Sequence, residues 1–367
     1  MTDAVAPIGL PKTALDTPAL LVDLDVLEAN IARIASTCRQ HGVGWRPHLK
    51  GHKTLEIARK QLAAGAVGIT CAKLGEAEVL AAAGIADVLI ANQIVGSLKI
   101  RRLMELPADA NPIVAVDSMA NAAELADAAV GHGRVAQVVI EIDIGMKRAG
   151  VAPGAPVVAL AKAIGERSGL RFRGLIGWEA HAVTIADPGE KERTVAAAIG
   201  LLTASAAACR QAGYAVDIVS CGGTGSFPYC AMQPGVTDVQ VGGAIFSDMH
   251  YRDHYHTDFP CALTLMATVT SRPTATRIVL DAGKKSMSGD AAMPLPIGLS
   301  GVRSLRLSAE HATIELEAPS EQPRIGDRVE FIVGYSDTTV HLHEEIVGIR
   351  RGAVECIWPI AARGRLK

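Results

Sequence analysis

"GITCAKLGEAEVLAAAGIADVLIAN", residues 68–92, contains one whole structural repeat. An apolar run at 68–73 leads into a helical pattern near 74–83, and a second apolar run follows at 87–92. Strands that are apolar throughout are buried on both faces, and a helix between two of them makes the connection parallel. The same unit recurs on both sides. Upstream stand "LLVD" (20–23), a helical stretch ending on glycine, and "WRPHLK" (45–50) with a helix near 54–64. Downstream are "IVAVDS" (113–118), "QVVIEID" (137–143), "FRGLIGWEA" (172–180), "VDIVSCGG" (216–223) and "DVQVGGAIF" (238–246), with room for helices at 155–167 and 190–212. Strand-then-helix, repeated about eight times, predicts a closed parallel (β/α)8 barrel over residues 20–255.

From residue 256 the texture changes to period-two alternation with frequent turns, as in "SLRLSAEHATIELE", "DRVEFIVG" and "HEEIVGIRRGAVECIWPI". These read as antiparallel strands of a second, β-rich domain formed by 256–367 together with 1–19. The expected class is therefore α/β: a barrel followed by a C-terminal antiparallel β domain.

Composition narrows the function. A chain of 367 residues, 49% hydrophobic, has ample material for a core, and a net charge of -2 argues against a nucleic-acid binder. No apolar run reaches membrane-spanning length, and the N-terminus lacks a signal pattern. The seven cysteines are scattered without a CxxC pair, which points to free thiols in a reducing cytoplasm.

In a parallel barrel, chemistry gathers where the strands end. "RPHLKGHK" (46–53) offers Arg46, His48, Lys50 and Lys53, interrupted by proline and glycine so that no helical face can form. Later strand ends bring Arg148, then Trp178, Glu179 and His181, then the glycine run "GGTGS" (222–226) and "VGG" (241–243). Glycines let backbone N–H groups approach an anion, and loops after late barrel strands commonly hold phosphate. A lysine projecting inward beside other cations is favoured as the neutral, nucleophilic amine. Lysine opposite a phosphate cradle suggests pyridoxal 5'-phosphate.

The motifs, taken in order, resemble one family. "TPALLVDLDVLEANI", "RPHLKGHK", "CAKLGEAEVL", "EIDIGMKRAGV", "CGGTGSFP", "VLDAGKKSMS" and "VECIWPIAARG" are similar to the fold-type III pyridoxal phosphate enzymes of the D-threonine aldolase, D-serine dehydratase and 3-hydroxy-D-aspartate aldolase group. The resemblance implies an alanine-racemase-like barrel plus β domain, and a homodimer with the active site at the interface. It implies Lys50 as the Schiff-base lysine, with His48, Arg148, Gly223, Thr224, Gly225, Gly242, Gly243 and Tyr251 around the cofactor. Arg46, Trp178 and Glu179 become candidate substrate contacts. Arginine is a permanent cation, so beside the cofactor ring it would make a weaker electron sink than an acidic partner does.

The chain also departs from the family. Relatives commonly bind a divalent metal through a His-x-Asp or His-x-Cys pair, but here "GYSD" places Tyr335 where the histidine is expected and keeps Asp337. A phenol is a poor ligand for Mn2+ or Mg2+. His341 and His343, two apart on an expected strand, are candidate replacements, and whether a metal binds stays open. The expected activity is a lyase acting on a small amino-acid substrate, a D-configured β-hydroxy-α-amino acid. Cleavage would be retro-aldol, with His181 available as base. A dehydratase, and a metal-independent racemase or epimerase using Lys50 and Tyr335, are the alternatives.

Overall fold

The computed structural model describes residues 7–367. The chain divides into two compact units, one of Ala32–Gly242 with Gly364–Lys367, the other of residues up to Ile31 with Gly243–Arg363.

The first unit is the barrel. After β1 (Ala19–Asp23) and α1 (Leu24–Gln40), its chain runs β2 (Gly44–Trp45), α2 (Leu55–Ala63), β3 (Ile69–Cys71), α3 (Leu74–Ala82), β4 (Val88–Gln93), α4 (Ser97–Glu105) and β5 (Ile113–Val116). It continues α5 (Met119–Gly131), β6 (Ala136–Glu141), α6 (Ala155–Gly165), β7 (Leu170–Ile176), α7 (Pro188–Gln211), β8 (Ile218–Cys221), α8 (Phe227–Ala231) and β9 (Asp238–Val239). The strands pair in parallel in the order β2-β9-β8-β7-β6-β5-β4-β3. A parallel bridge between His48 and Thr70 joins the two ends and closes the ring. The stretch "RPHLKGHK" thus carries the closure. Local signals set the helices: Asp187 Oδ1 accepts from Glu190 N at 2.7 Å and Pro188 opens α7, an N-cap and a proline at the first helical position. Leu89, Ile113, Ala115, Val139, Ile176 and Ile218 pack together as one buried group.

The second unit holds α9 (Met249–Asp253), β10 (Leu263–Ser271), β11 (Arg277–Leu280), β12 (Leu295–Pro296), β13 (Val302–Leu307), β14 (Ala312–Leu316), β15 (Arg328–Ile332), α10 (Ser336–Thr339), β16 (Glu345–Arg350) and β17 (Ala353–Pro359). Its sheet runs β13-β14-β11-β10-β1-β16-β17, with β15 also on β10 and β12 on β15. Arg351 and Gly352 turn β16 into β17 with φ of 50° and 80°.

Two elements differ from expectation. "LLVD" is no barrel strand: β1 pairs antiparallel with β10 and parallel with β16. Leu20, Leu21 and Val22 are all buried there, and an apolar strand fits a sheet covered on both faces whichever sheet that is. His341 lies in a single 3-10 turn, Val340–Leu342, with His343 as its C-cap, so the two share no strand face.

Candidate active site

β2 runs directly into "RPHLKGHK". Arg46 N donates to Val239 O at 2.9 Å and Thr70 N donates to Pro47 O at 2.9 Å, so the chain stays extended through the proline. At His48 it bends into a 3-10 turn, Leu49–Gly51, that carries Lys50. His48 Nδ1 accepts from Lys50 N at 3.2 Å. Burial, and then the charge of Lys50, holds the His48 imidazole well below its ordinary pKa, so it is neutral at physiological pH. With Nδ1 accepting, the ring proton sits on Nε2.

The two lysines of the motif part ways. Lys53 is buried with left-handed backbone (φ 51°) and pairs with the fully buried Glu76. Glu76 also accepts from Ala72 N at 2.7 Å and Lys73 N at 3.0 Å, which fixes the start of α3. Lys50 Nζ instead lies 5.5 Å from the Trp178 ring centroid. Arg148 Cζ lies 5.3 Å from the same indole, so Trp178 meets two cations. Glu141, at the end of β6, accepts from Gln93 Nε2 at 2.5 Å and stands 3.8 Å from Arg148 Nη2. Burial raises its carboxyl pKa. His181 is exposed and rests on Gly145, where a Cβ would come within 2.6 Å of the imidazole.

The glycine runs meet the demands of a phosphate cradle. A Cβ on Gly223 would stand 2.9 Å from Trp178 Nε1, and one on Gly242 would stand 2.3 Å from His48 O. Among the described residues, the buried backbone N–H groups of Thr224, Gly225 and Gly242 find no protein acceptor, nor does the buried Trp178 Nε1. Buried donors without partners are costly, and an anion with several acceptor oxygens would satisfy them. The residues present fit the phosphate of the expected cofactor.

Two expected substrate contacts are placed otherwise. Arg46 is buried, donates to Asp87 O at 2.8 Å and stands 3.9 Å from Asp238. Both partners sit where β4 and β9 begin, so the guanidinium points to the end opposite the catalytic loops. Glu179 is fully buried beneath the glycine loop, where Ser226 Oγ donates to it. Its carboxylate, Cys221 Sγ and Cys230 Sγ lie within 4.8 Å of one another. Burial raises the Cys230 thiol well above its ordinary pKa, so the group is a hydrogen-bonded knot of a carboxylate and thiols that keep their protons.

In the second unit, Tyr251 Oη donates to Asp337 Oδ1 at 3.1 Å, and the Tyr251 and Tyr335 rings are 5.7 Å apart. Burial, then the Asp337 charge, pushes the Tyr335 phenol far above its usual range. His343 Nε2 is engaged with Ser286 O at 2.7 Å. Among the described residues, no pair of His, Cys, Asp or Glu ligands joins Asp337. One carboxylate flanked by protonated phenols does not fit a firmly held Mn2+ or Mg2+. Gly243 packs against Tyr251, where a Cβ would come within 2.3 Å of Oη.

Asp248 has no counterpart in the sequence reading. It caps α9 through Tyr251 N (2.8 Å) and accepts from Ser336 N (2.7 Å). Burial raises its pKa from 3.8 to about 7. Between those values the folded chain keeps a proton that the unfolded chain has lost, so this group's contribution to stability declines as pH rises through the window. The expected result is a wild-type advantage over Asp248→Asn that is larger near pH 4.5 than near pH 7.5 (about the two edges of the window), read from urea midpoints. An advantage independent of pH would sink the assignment.

Comparison with known proteins gives consistent results. The alanine racemase N-terminal domain family matches residues 22–250, and the putative serine dehydratase domain matches 262–349. A D-threonine aldolase of Arthrobacter sp is 35% identical over 97% of this chain and 95% of its own. A 3-hydroxy-D-aspartate aldolase of Paracoccus denitrificans is 32% identical, covering 99% of this chain and 96% of its own. The crystal structure of D-threonine aldolase from Filomicrobium marinum superposes with a TM-score of 0.94 at 37% identity, covering 99% of this chain and 100% of that one.

Proposed function

Because this chain belongs to the fold-type III pyridoxal phosphate enzymes of the D-threonine aldolase group, we propose that it cleaves D-configured β-hydroxy-α-amino acids. The reaction is retro-aldol, to glycine or a related small amino acid and an aldehyde. What carries the reading is the similarity to D-threonine aldolases along almost the whole chain, together with Lys50, Trp178, Arg148 and an unsatisfied set of buried N–H donors on one barrel.

When bound, the cofactor supplies an electron-withdrawing ring conjugated to the substrate's α-carbon. Lys50 would be the residue that holds the cofactor covalently, through its amine. His48 stays neutral and presents Nε2–H. Arg148, 3.8 Å from Glu141, would stand beside the cofactor as a permanent cation, and both it and Lys50 lie against Trp178. His181, at the exposed rim, takes the proton of the β-hydroxyl as the Cα–Cβ bond breaks and the aldehyde forms. No step is routed through a metal, since the donors around Asp337 do not fit one.

The dehydratase-domain match over 262–349 favours a second reading, loss of ammonia to a keto acid. The racemase alternative asks Tyr335 to act as a base, and burial beside Asp337 makes this phenol hold its proton. Proton NMR of D- and L-β-hydroxy amino acids in D2O, with and without EDTA, separates the three. Glycine and aldehyde from the D isomer, unchanged by EDTA, are expected; ammonia with a keto acid, or deuterium at Cα without cleavage, would overturn the proposal.

We also place the enzyme in the cytoplasm as a homodimer. All seven cysteines are free, and no helix among the described residues is long and apolar enough to cross a membrane. The dimer follows from the family resemblance, and a solution mass equal to one chain would reject it.

A further inference from the structure

We propose that Glu179 is a positioning residue that sets which donors of the 222–226 loop face the cofactor's phosphate. The inference rests on the cofactor reading above and deepens it.

The donors of the loop divide into those that the protein itself engages and those that it leaves without an acceptor. Ser226 Oγ donates to Glu179 Oε1, and Gly222 N donates to Glu179 Oε2 at 3.4 Å. Ser226 Oγ in turn accepts from Gly223 N at 3.1 Å. Cys230 Sγ lies within 4.8 Å of the same carboxylate. The carboxylate therefore draws Gly222, Gly223 and Ser226 inward, directly or through the hydroxyl. Thr224 N and Gly225 N remain, next in sequence, with no protein acceptor among the described residues.

Chain direction explains how one residue reaches beneath the loop. Trp178 and Glu179 are consecutive after β7, and Glu179 turns the chain (φ −88°, ψ 41°) into the 3-10 turn Ala180–Ala182. Trp178 Nε1 faces Gly223, while the fully buried Glu179 accepts from Gly222 N and Ser226 Oγ. Two adjacent side chains thus contact the loop, and Gly222 follows the bend with φ of 78°.

A buried carboxylate under an anion site looks unfavourable, since the two charges repel. Its inward donors compensate it, and the arrangement is favourable only if the carboxylate organises the loop. Without it Ser226 Oγ would have Gly223 O, 3.5 Å away, as its acceptor, and Gly222 N would be free to swing.

The test compares pyridoxal 5'-phosphate with pyridoxal, which lacks only the phosphate. Full-length protein is freed of cofactor with hydroxylamine, dialysed, and titrated with each compound by absorbance. The wild type is expected to prefer the phosphorylated form strongly. In Glu179→Ala that preference should fall roughly 10- to 100-fold, the scale of one or two charge-assisted hydrogen bonds, with pyridoxal affinity little changed. Glu179→Gln, which still accepts from Gly222 N, should recover part of the preference. Ser226→Ala serves if Glu179→Ala does not fold; it keeps the carboxylate and releases Gly223 N, and the preference should again fall. Wild-type discrimination in either folded variant, or equal losses for both compounds, would overturn the inference. A wild type that does not discriminate would remove the cofactor reading, and this inference with it.

Discussion

Lys50→Ala is expected to yield a protein without visible absorbance and with cleavage reduced by about four orders of magnitude, the scale of losing a covalent catalytic group. The loss should be in kcat, because no other amine replaces the bond. The structure separates this lysine from its neighbour: Lys53 is fixed in an ion pair with Glu76, whereas Lys50 lies against Trp178. Lys53→Ala should therefore keep its colour once folded. Borohydride treatment and peptide mass analysis check both statements, since the label should fall on the peptide containing Lys50. A labelled Lys53, or a Lys50→Ala protein that still absorbs, would sink the scheme.

Glu76→Ala is expected to cost about 3–5 kcal/mol of stability, as removal of one partner from a buried ion pair typically does. Glu76 is fully buried and Lys53 is 7% exposed, so little water reaches the charge left behind. The same change strands Ala72 N and Lys73 N at the head of α3. The double variant Lys53→Met, Glu76→Leu should regain much of the loss, because it leaves no unpaired charge. Denaturant midpoints of the single and double variants measure this. If the double variant is as unstable as the single, the cost belongs to the helix cap and not to the stranded lysine.

These two predictions divide the motif "RPHLKGHK" by role. Arg46 and Lys53 are structural, engaged with Asp87 and Glu76; in the proposed reaction His48 and Lys50 form the catalytic end. All four are polar and closely spaced, so spacing alone cannot sort them. The two histidines near the C-terminus teach the same lesson. An alternating pattern suggested a strand with His341 and His343 on one face, yet a short helix and a 3-10 turn rotate them apart.

The barrel was legible from the chain because strand burial on two faces and helix amphipathicity are local patterns that survive in any context. The glycines themselves were visible in the chain, but that Gly223 meets Trp178 and Gly242 meets His48 O emerges only from the fold. Which sheet receives "LLVD", where Arg46 points, what Glu179 lies beneath and what surrounds Asp337 were settled by tertiary structure alone. In each case the deciding partner is distant in sequence, and no local pattern encodes which remote donor or acceptor a side chain will meet.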